Sequence, residues 1–206
     1  MRVVGGEARG KLLQLVPGDG TRPIQDRVKT ALFDILRPRL DGMVLLDLFA
    51  GTGGVGIEAL SQGADSCTFT DMAGKAVATI RKNLQTTGLA DRAEVRQIDA
   101  LAYLRHAERQ YDLIYVAPPQ YKRLWVEAME AIADRPEIWR DGEGLAIAQI
   151  DPKEYEALNL PGLVETRQKR YGNTLLVFYE SGADPASLDP PGGGDYDDSD
   201  DPDGDG

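Results

Sequence analysis

Residues 44–60 read VLLDLFAGTGGVGIEAL. An apolar run, Val44 to Leu48, ends in a turn of small residues holding Gly51, Gly53, Gly54 and Gly56, and a helical pattern resumes from Ile57 to Leu60. The stretch predicts strand, tight loop and helix. Such a junction aims backbone N–H groups and the positive end of a helix at a ligand, and glycines let that ligand approach without a Cβ in the way. Four glycines within six residues cost chain entropy that an ordinary βα turn does not require. The loop is therefore read as a ligand cradle. Gly51-Thr52-Gly53-Gly54-Val55-Gly56 also satisfies the dinucleotide pattern G-x-G-x-x-G, so the class of ligand stays open at this point.

Outward from the loop the pattern alternates. Strands are predicted at 66–70, 93–98, 111–116 and 144–150, with helices at 73–86, 100–107 and 124–133 between them. Repeated βα units imply a mostly parallel sheet covered by helices on both faces. Two further runs, 163–167 and 174–180, are joined by Lys169-Arg170-Tyr171-Gly172-Asn173 with no room for a helix, so they should pair antiparallel and complete a seven-stranded α/β sheet. Upstream, Val3-Val4 and 12–16 flank GGEARGK and predict a small β-hairpin. A helix is expected from 24 to 36, with Arg27 and Lys29 off its buried stripe. The regions are 1–40, a basic hairpin and helix; 41–180, the sheet domain; and 181–206, an acidic tail too polar to order itself.

The bulk composition narrows the class. A chain of 206 residues holds one α/β domain with a full core. A single cysteine, Cys67, excludes an intramolecular disulfide, and a lone His106 cannot build a histidine-rich metal site, so no metal is expected. No targeting or membrane-spanning stretch is present, which implies a soluble cytoplasmic protein with no membrane partner; a monomer is expected. The net charge of −11 argues against a nucleic-acid partner until its distribution is read. Nine Asp and no Lys or Arg fall in 181–206, which leaves the body nearly neutral, while 1–40 hold eight basic residues against four acids. Arg9, Lys11, Arg22, Arg27 and Lys29 are candidates for phosphate contacts, with a solvated charged face as the alternative.

In an open α/β sheet the ligand crevice lies at the carboxyl ends of the strands, so strand-end residues carry the chemistry. Here those ends are Asp47, Asp71, Asp99 and the run Ala117-Pro118-Pro119-Gln120-Tyr121. A nicotinamide cofactor brings a pyrophosphate, for which the first glycine normally follows the strand directly; this chain inserts Leu48-Phe49-Ala50 behind an acid. A methyl donor of the S-adenosylmethionine kind has no phosphate. Asp47 answers its ammonium, the loop N–H groups its carboxylate, Asp71 its ribose and Asp99 its adenine amino group.

LLDLFAGTGGVGIEALSQGA, TFTDM, RKNL, IDA and the Pro-Pro segment resemble the Rossmann-like S-adenosylmethionine-dependent methyltransferases. RVVGGEARGKLL, TRPIQDRVKTALFDIL and KRYGNTLLVFY are similar to the RsmD-type enzymes, which methylate the exocyclic N2 of a guanine in small-subunit (16S) ribosomal RNA. The resemblance runs from Arg2 to about Tyr179. It implies that Asp47, Phe49, Ala50, Gly51, Thr52 and Gly53 line the methionine part of the donor, Asp71 and Met72 the ribose and adenine, and Asp99 and Ala100 the adenine edge. The implied partner is 16S ribosomal RNA or a small-subunit assembly particle.

One motif departs from the family. Its usual signature is Asp or Asn, Pro, Pro, then Tyr or Phe, whose first side chain and first proline carbonyl hold the target amine while the ring stacks on the base. Here the positions read Ala117-Pro118-Pro119-Gln120, with Tyr121 one residue late. An active enzyme would use the Pro118 carbonyl and the Gln120 oxygen, beside Pro119, with Tyr121 shifted to stack. The alternatives are a donor- and RNA-binding module with weak or no turnover and, more distantly, a nicotinamide-dependent oxidoreductase.

Overall fold

The computed structural model describes residues 1–18 and 24–182; Arg22 and the acidic tail beyond Gly182 lie outside the described residues. Seven strands, β1 (Val44–Asp47), β2 (Ser66–Asp71), β3 (Ala93–Gln97), β4 (Leu113–Val116), β5 (Leu145–Ile150), β6 (Leu163–Tyr171) and β7 (Thr174–Ser181), form one sheet in the order β3-β2-β1-β4-β5-β7-β6. The first five run parallel; β7 joins β5 antiparallel, and β6 pairs antiparallel with β7. This is the Rossmann-like mixed sheet that the alternation predicts. The strand order reverses between β1 and β4, which makes the carboxyl end of β1 the topological switch point.

Period-two alternation divides the core into two layers. Leu45, Leu113, Tyr115 and Ile147 face α1 (Asp26–Leu36), α2 (Gly54–Ser61) and α3 (Gly74–Thr87), where they meet Leu32, Phe33, Ile57 and Ile80. Leu46, Ile114, Val116 and Ala148 face α4 (Ala100–His106) and α5 (Leu124–Ala133), where they meet Leu104, Trp125 and Met129. Trp125 and Trp139 are buried packing residues, Cys67 is buried and free, and His106 is exposed at the end of α4.

The N-terminal hairpin is present as a single antiparallel bridge, Arg2 opposite Leu12, rather than as two regular strands. Val3 and Leu13 N–H groups donate across it to the Lys11 and Met1 carbonyls, and other backbone donors of the segment are taken by side chains of α2 and α3. Val4 and Gly5 N–H groups donate to the Glu58 carboxylate, Ala8 N–H to Ser61 Oγ at 2.9 Å, and Gln14 N–H to Asn83 Oδ1 at 2.8 Å. Val3, Ala8 and Leu13 join the same apolar core as α1 to α3.

The reading of Lys29 is corrected. Its side chain is fully buried, its Nζ lies 3.0 Å from Glu58 Oε2, and it donates to the Arg2 carbonyl at 2.5 Å. Lys29 stands at i, i+3, i+4 and i+7 with Leu32, Phe33 and Leu36, and so belongs to the buried stripe of α1. It cannot reach an RNA phosphate.

Candidate active site

A cavity of about 680 Å³ opens over the carboxyl ends of β1, β2, β4 and β5. Of the expected site residues, Asp47, Phe49, Ala50, Gly51, Thr52, Asp71, Met72, Asp99, Ala100, Pro118, Pro119 and Gln120 line it. Gly53 and Tyr121 do not. Gly53 instead caps α2 at φ 76, a left-handed conformation that only glycine adopts without strain, and its N–H closes the turn onto the Ala50 carbonyl at 2.7 Å. Gly56 serves packing, because a Cβ there would stand 2.3 Å from the Phe69 ring.

Hydrogen bonds to the neighbouring strands pin the loop. Leu48 N–H donates to the Tyr115 carbonyl, Ala50 N–H to the Thr70 carbonyl, and the Thr70 hydroxyl to the Leu48 carbonyl. Asp71 accepts Gly51 N–H at 2.9 Å on one oxygen and Ala73 N–H at 2.8 Å on the other. From α3, the Asn83 amide donates to the Thr52 carbonyl at 2.9 Å. The cradle is therefore preformed rather than left for a ligand to organise.

Asp47 sits at the end of β1, 3 % exposed, with Oδ2 accepting Gly56 N–H in the first turn of α2 at 3.0 Å. Burial pushes its carboxyl up to about 7, helped by the nearby Asp71 and opposed by the Gly56 bond. Among the described residues no Lys or Arg pairs with it. A buried carboxylate without a cation fits a ligand ammonium. The same acid takes the N–H at the start of α2 that a pyrophosphate would need, and its charge opposes such an anion. Asp99 is exposed at the cavity wall and caps α4, accepting Ala102 N–H at 2.9 Å, so it serves both as helix cap and as site residue.

The strand-four loop places Ala117, Pro118, Pro119 and Gln120 along the cavity. Tyr121, at φ 61 and 66 % exposed, donates its N–H to Glu154 and its hydroxyl to Asp151 Oδ2 at 3.0 Å. Those bonds hold it outside the cavity wall, away from a stacking position. Residues that the sequence reading missed also line the cavity, among them Ile24 and Gln25 at the start of α1, Tyr115 on β4, Lys122, Gln149 on β5 and Thr174 on β7. A lone polar residue in the otherwise apolar β5 run LAIAQI was the available signal for Gln149.

Of the basic candidates, Arg9 and Arg27 are exposed, and Lys11 donates to the Thr87 carbonyl at the end of α3 at 2.9 Å. Among the described residues no group of acidic, His or Cys side chains suits a metal ion, and no helix is long and apolar enough to cross a membrane.

A doubly wound sheet that ends in an antiparallel pair, with a switch-point cavity walled by a glycine loop and strand-end acids, has the architecture of a Rossmann-like methyltransferase. The family described as Conserved hypothetical protein 95 matches residues 1–180, and the chain belongs to this family of RsmD-type methyltransferases. It is similar to the Bacillus subtilis protein named "Putative rRNA methyltransferase YlbH", 38 % identical over 87 % of this chain and 98 % of the relative. It is also similar to "Ribosomal RNA small subunit methyltransferase D" of Escherichia coli, 34 % identical over 73 % of this chain and 75 % of the relative. Among solved structures, "Putative methyltransferase yhhF from Escherichia coli" superposes with a TM-score of 0.76 at 30 % identity, covering 89 % of this chain and 99 % of that one. The family's cofactor is S-adenosylmethionine, and the unpaired buried acid, the pinned glycine loop and the cavity fit it.

Proposed function

We propose that this protein methylates the exocyclic N2 of a guanine in small-subunit (16S) ribosomal RNA, in the cytoplasm, on naked RNA or on an assembly particle. The observation that carries the donor half is Asp47, a buried acid with no cation of its own among the described residues, held at the start of α2. The RNA half is supported by the small-subunit methyltransferases among the relatives and by the exposed Arg9 and Arg27.

When bound, S-adenosylmethionine supplies a methyl group made electrophilic by its sulfonium. The chain's part is positioning. Asp47 receives the ammonium, while Asp71 keeps acceptor capacity for the ribose hydroxyls beyond its bonds to Gly51 and Ala73. The Pro118 carbonyl accepts one N–H of the guanine amine and a side-chain amide oxygen of the pocket accepts the other, which aims its lone pair at the methyl carbon. After transfer the methylated amine is cationic, so its proton passes to bulk water and no strong base is required at this site.

The second reading, a donor- and RNA-binding module with weak turnover, is favoured by one feature: Ala117 offers no acceptor where the family carries Asp or Asn. The oxidoreductase reading is opposed by the Asp47 carboxylate at the helix start. The deciding experiment is mass mapping of modified nucleotides after incubating unmodified small-subunit RNA and subunits with enzyme and S-adenosylmethionine. A new N2-methylguanine supports the enzyme. Saturable donor binding without incorporation, on substrate that a related active enzyme does modify, supports the binding module.

A further inference from the structure

In β5 the only polar side chain is Gln149. The last registered pair between β4 and β5 is Val116 with Ala148, so Ala117 and Gln149 are the next residues along two adjacent parallel strands. Tyr115 and Ile147, two residues earlier on each strand, belong to the core beneath α1 to α3, and Ala117 packs against that same cluster. Alternation therefore puts Tyr115, Ala117 and Gln149 on one face. All three line the cavity together with Pro118 and Gln120. The Tyr115 hydroxyl donates to Gln149 Oε1. Burial pushes the Tyr115 phenol up, so it stays protonated and remains a donor.

We propose that Gln149 supplies, from the neighbouring strand, the amine acceptor that Ala117 lacks, and that Tyr115 is the positioning residue that orients it. An amide oxygen has two acceptor sites; Tyr115 takes one and leaves the other for an N–H of the target amine. The Gln149 NH₂ then donates to a ring nitrogen beside that amine. The edge recognised is an amino group next to an unprotonated ring nitrogen, which guanine presents at N2 and N3. Because the amide is neutral, it leaves no charge buried beside the base when substrate is absent. This inference rests on the methyltransferase reading above and deepens it.

The test uses tritiated S-adenosylmethionine and unmodified small-subunit RNA, with kcat, KM for RNA and donor Kd measured separately. Gln149→Leu is expected to lower kcat/KM by roughly tenfold to a hundredfold, the scale of one or two hydrogen bonds to substrate, while donor Kd and melting temperature hold. Tyr115→Phe, which keeps the packing, is expected to lower kcat by about tenfold and leave KM nearly unchanged. Ala117→Asp on the Gln149→Leu background is expected to restore activity, and Ala117→Val on that background is not. A Gln149→Leu enzyme with the parent's rate overturns the inference while the methyltransferase reading stands. A loss that tracks weakened donor binding or stability, without rescue by Ala117→Asp, overturns it as well. No incorporation by the unaltered protein defeats the methyltransferase reading and this inference with it.

Discussion

Asp47 sets two opposed requirements at one carboxyl. Its ordinary value of 3.8 rises to about 7 in the folded, ligand-free protein, so the fold favours its neutral form. The stability contributed by that protonated form is complete below about pH 4 and is lost as pH rises through 7, to a total on the order of 4 kcal/mol. Asp47→Asn is therefore expected to raise the melting temperature of the free protein at about pH 8, with little effect near pH 4, and to abolish donor binding by calorimetry. In the parent, donor affinity should weaken by up to about tenfold per pH unit below 7, because the ammonium selects the ionised acid. Higher affinity at pH 6 than at pH 8 would refute this assignment. Ala117→Asp alone should leave the methylation rate equal or lower it, because the Gln149 amide already fills the acceptor role; a higher rate would mean that the role stands vacant in the parent. Strand-end acids were legible in the sequence because topology alone puts strand ends at the crevice. Gln149 was not, because its relation to Ala117 depends on which strand lies beside β4. Tyr121 was misjudged as a stacking ring because its partners, Asp151 and Glu154, arrive from a distant turn.

At the scale of elements, α1 and the first fourteen residues are fastened through polar groups that the periodicity could not reveal. Lys29 faces Glu58, and the Glu58 carboxylate also holds the backbone of Val4 and Gly5. Removing the cation leaves that carboxylate buried with only neutral donors. Lys29→Met is expected to destabilise the protein by about 3 kcal/mol in urea titration, near the usual cost of breaking a buried pair. RNA affinity measured at a temperature where the variant is folded should be unchanged. Arg9→Ala makes the contrast: stability unchanged, RNA binding weaker, and the slope of log affinity against log salt reduced by about one. The helices and the sheet were legible because their apolar periods are long. The hairpin was legible only in part, since its chain pairs with side chains of α2 and α3 more than with itself.

For the whole molecule the consequential asymmetry is electrostatic. Nine acids lie in residues 181–206, against a nearly neutral body and a basic beginning. Deleting 183–206 is expected to leave donor affinity unchanged and to tighten RNA binding at low ionic strength, with the difference vanishing as salt screens it. A tail whose removal weakens RNA binding would contradict this. The parallel run and the antiparallel end pair were legible in the alternation of elements, whereas the order of strands in the sheet was not, because right-handed connections permit more than one order. The fastening of the N-terminal segment has a further consequence in time. A ribosome delivers residues 1–14 ahead of the groups that receive them, since Glu58, Ser61 and Asn83 stand 53 to 69 positions later in the chain. That segment, joined within itself by bonds such as Val3 N–H to the Lys11 carbonyl, therefore stays unfastened to the helices until α2 and α3 have emerged. The Asn83 amide, which joins Gln14 to Thr52, then ties the segment and the cofactor loop to one side chain.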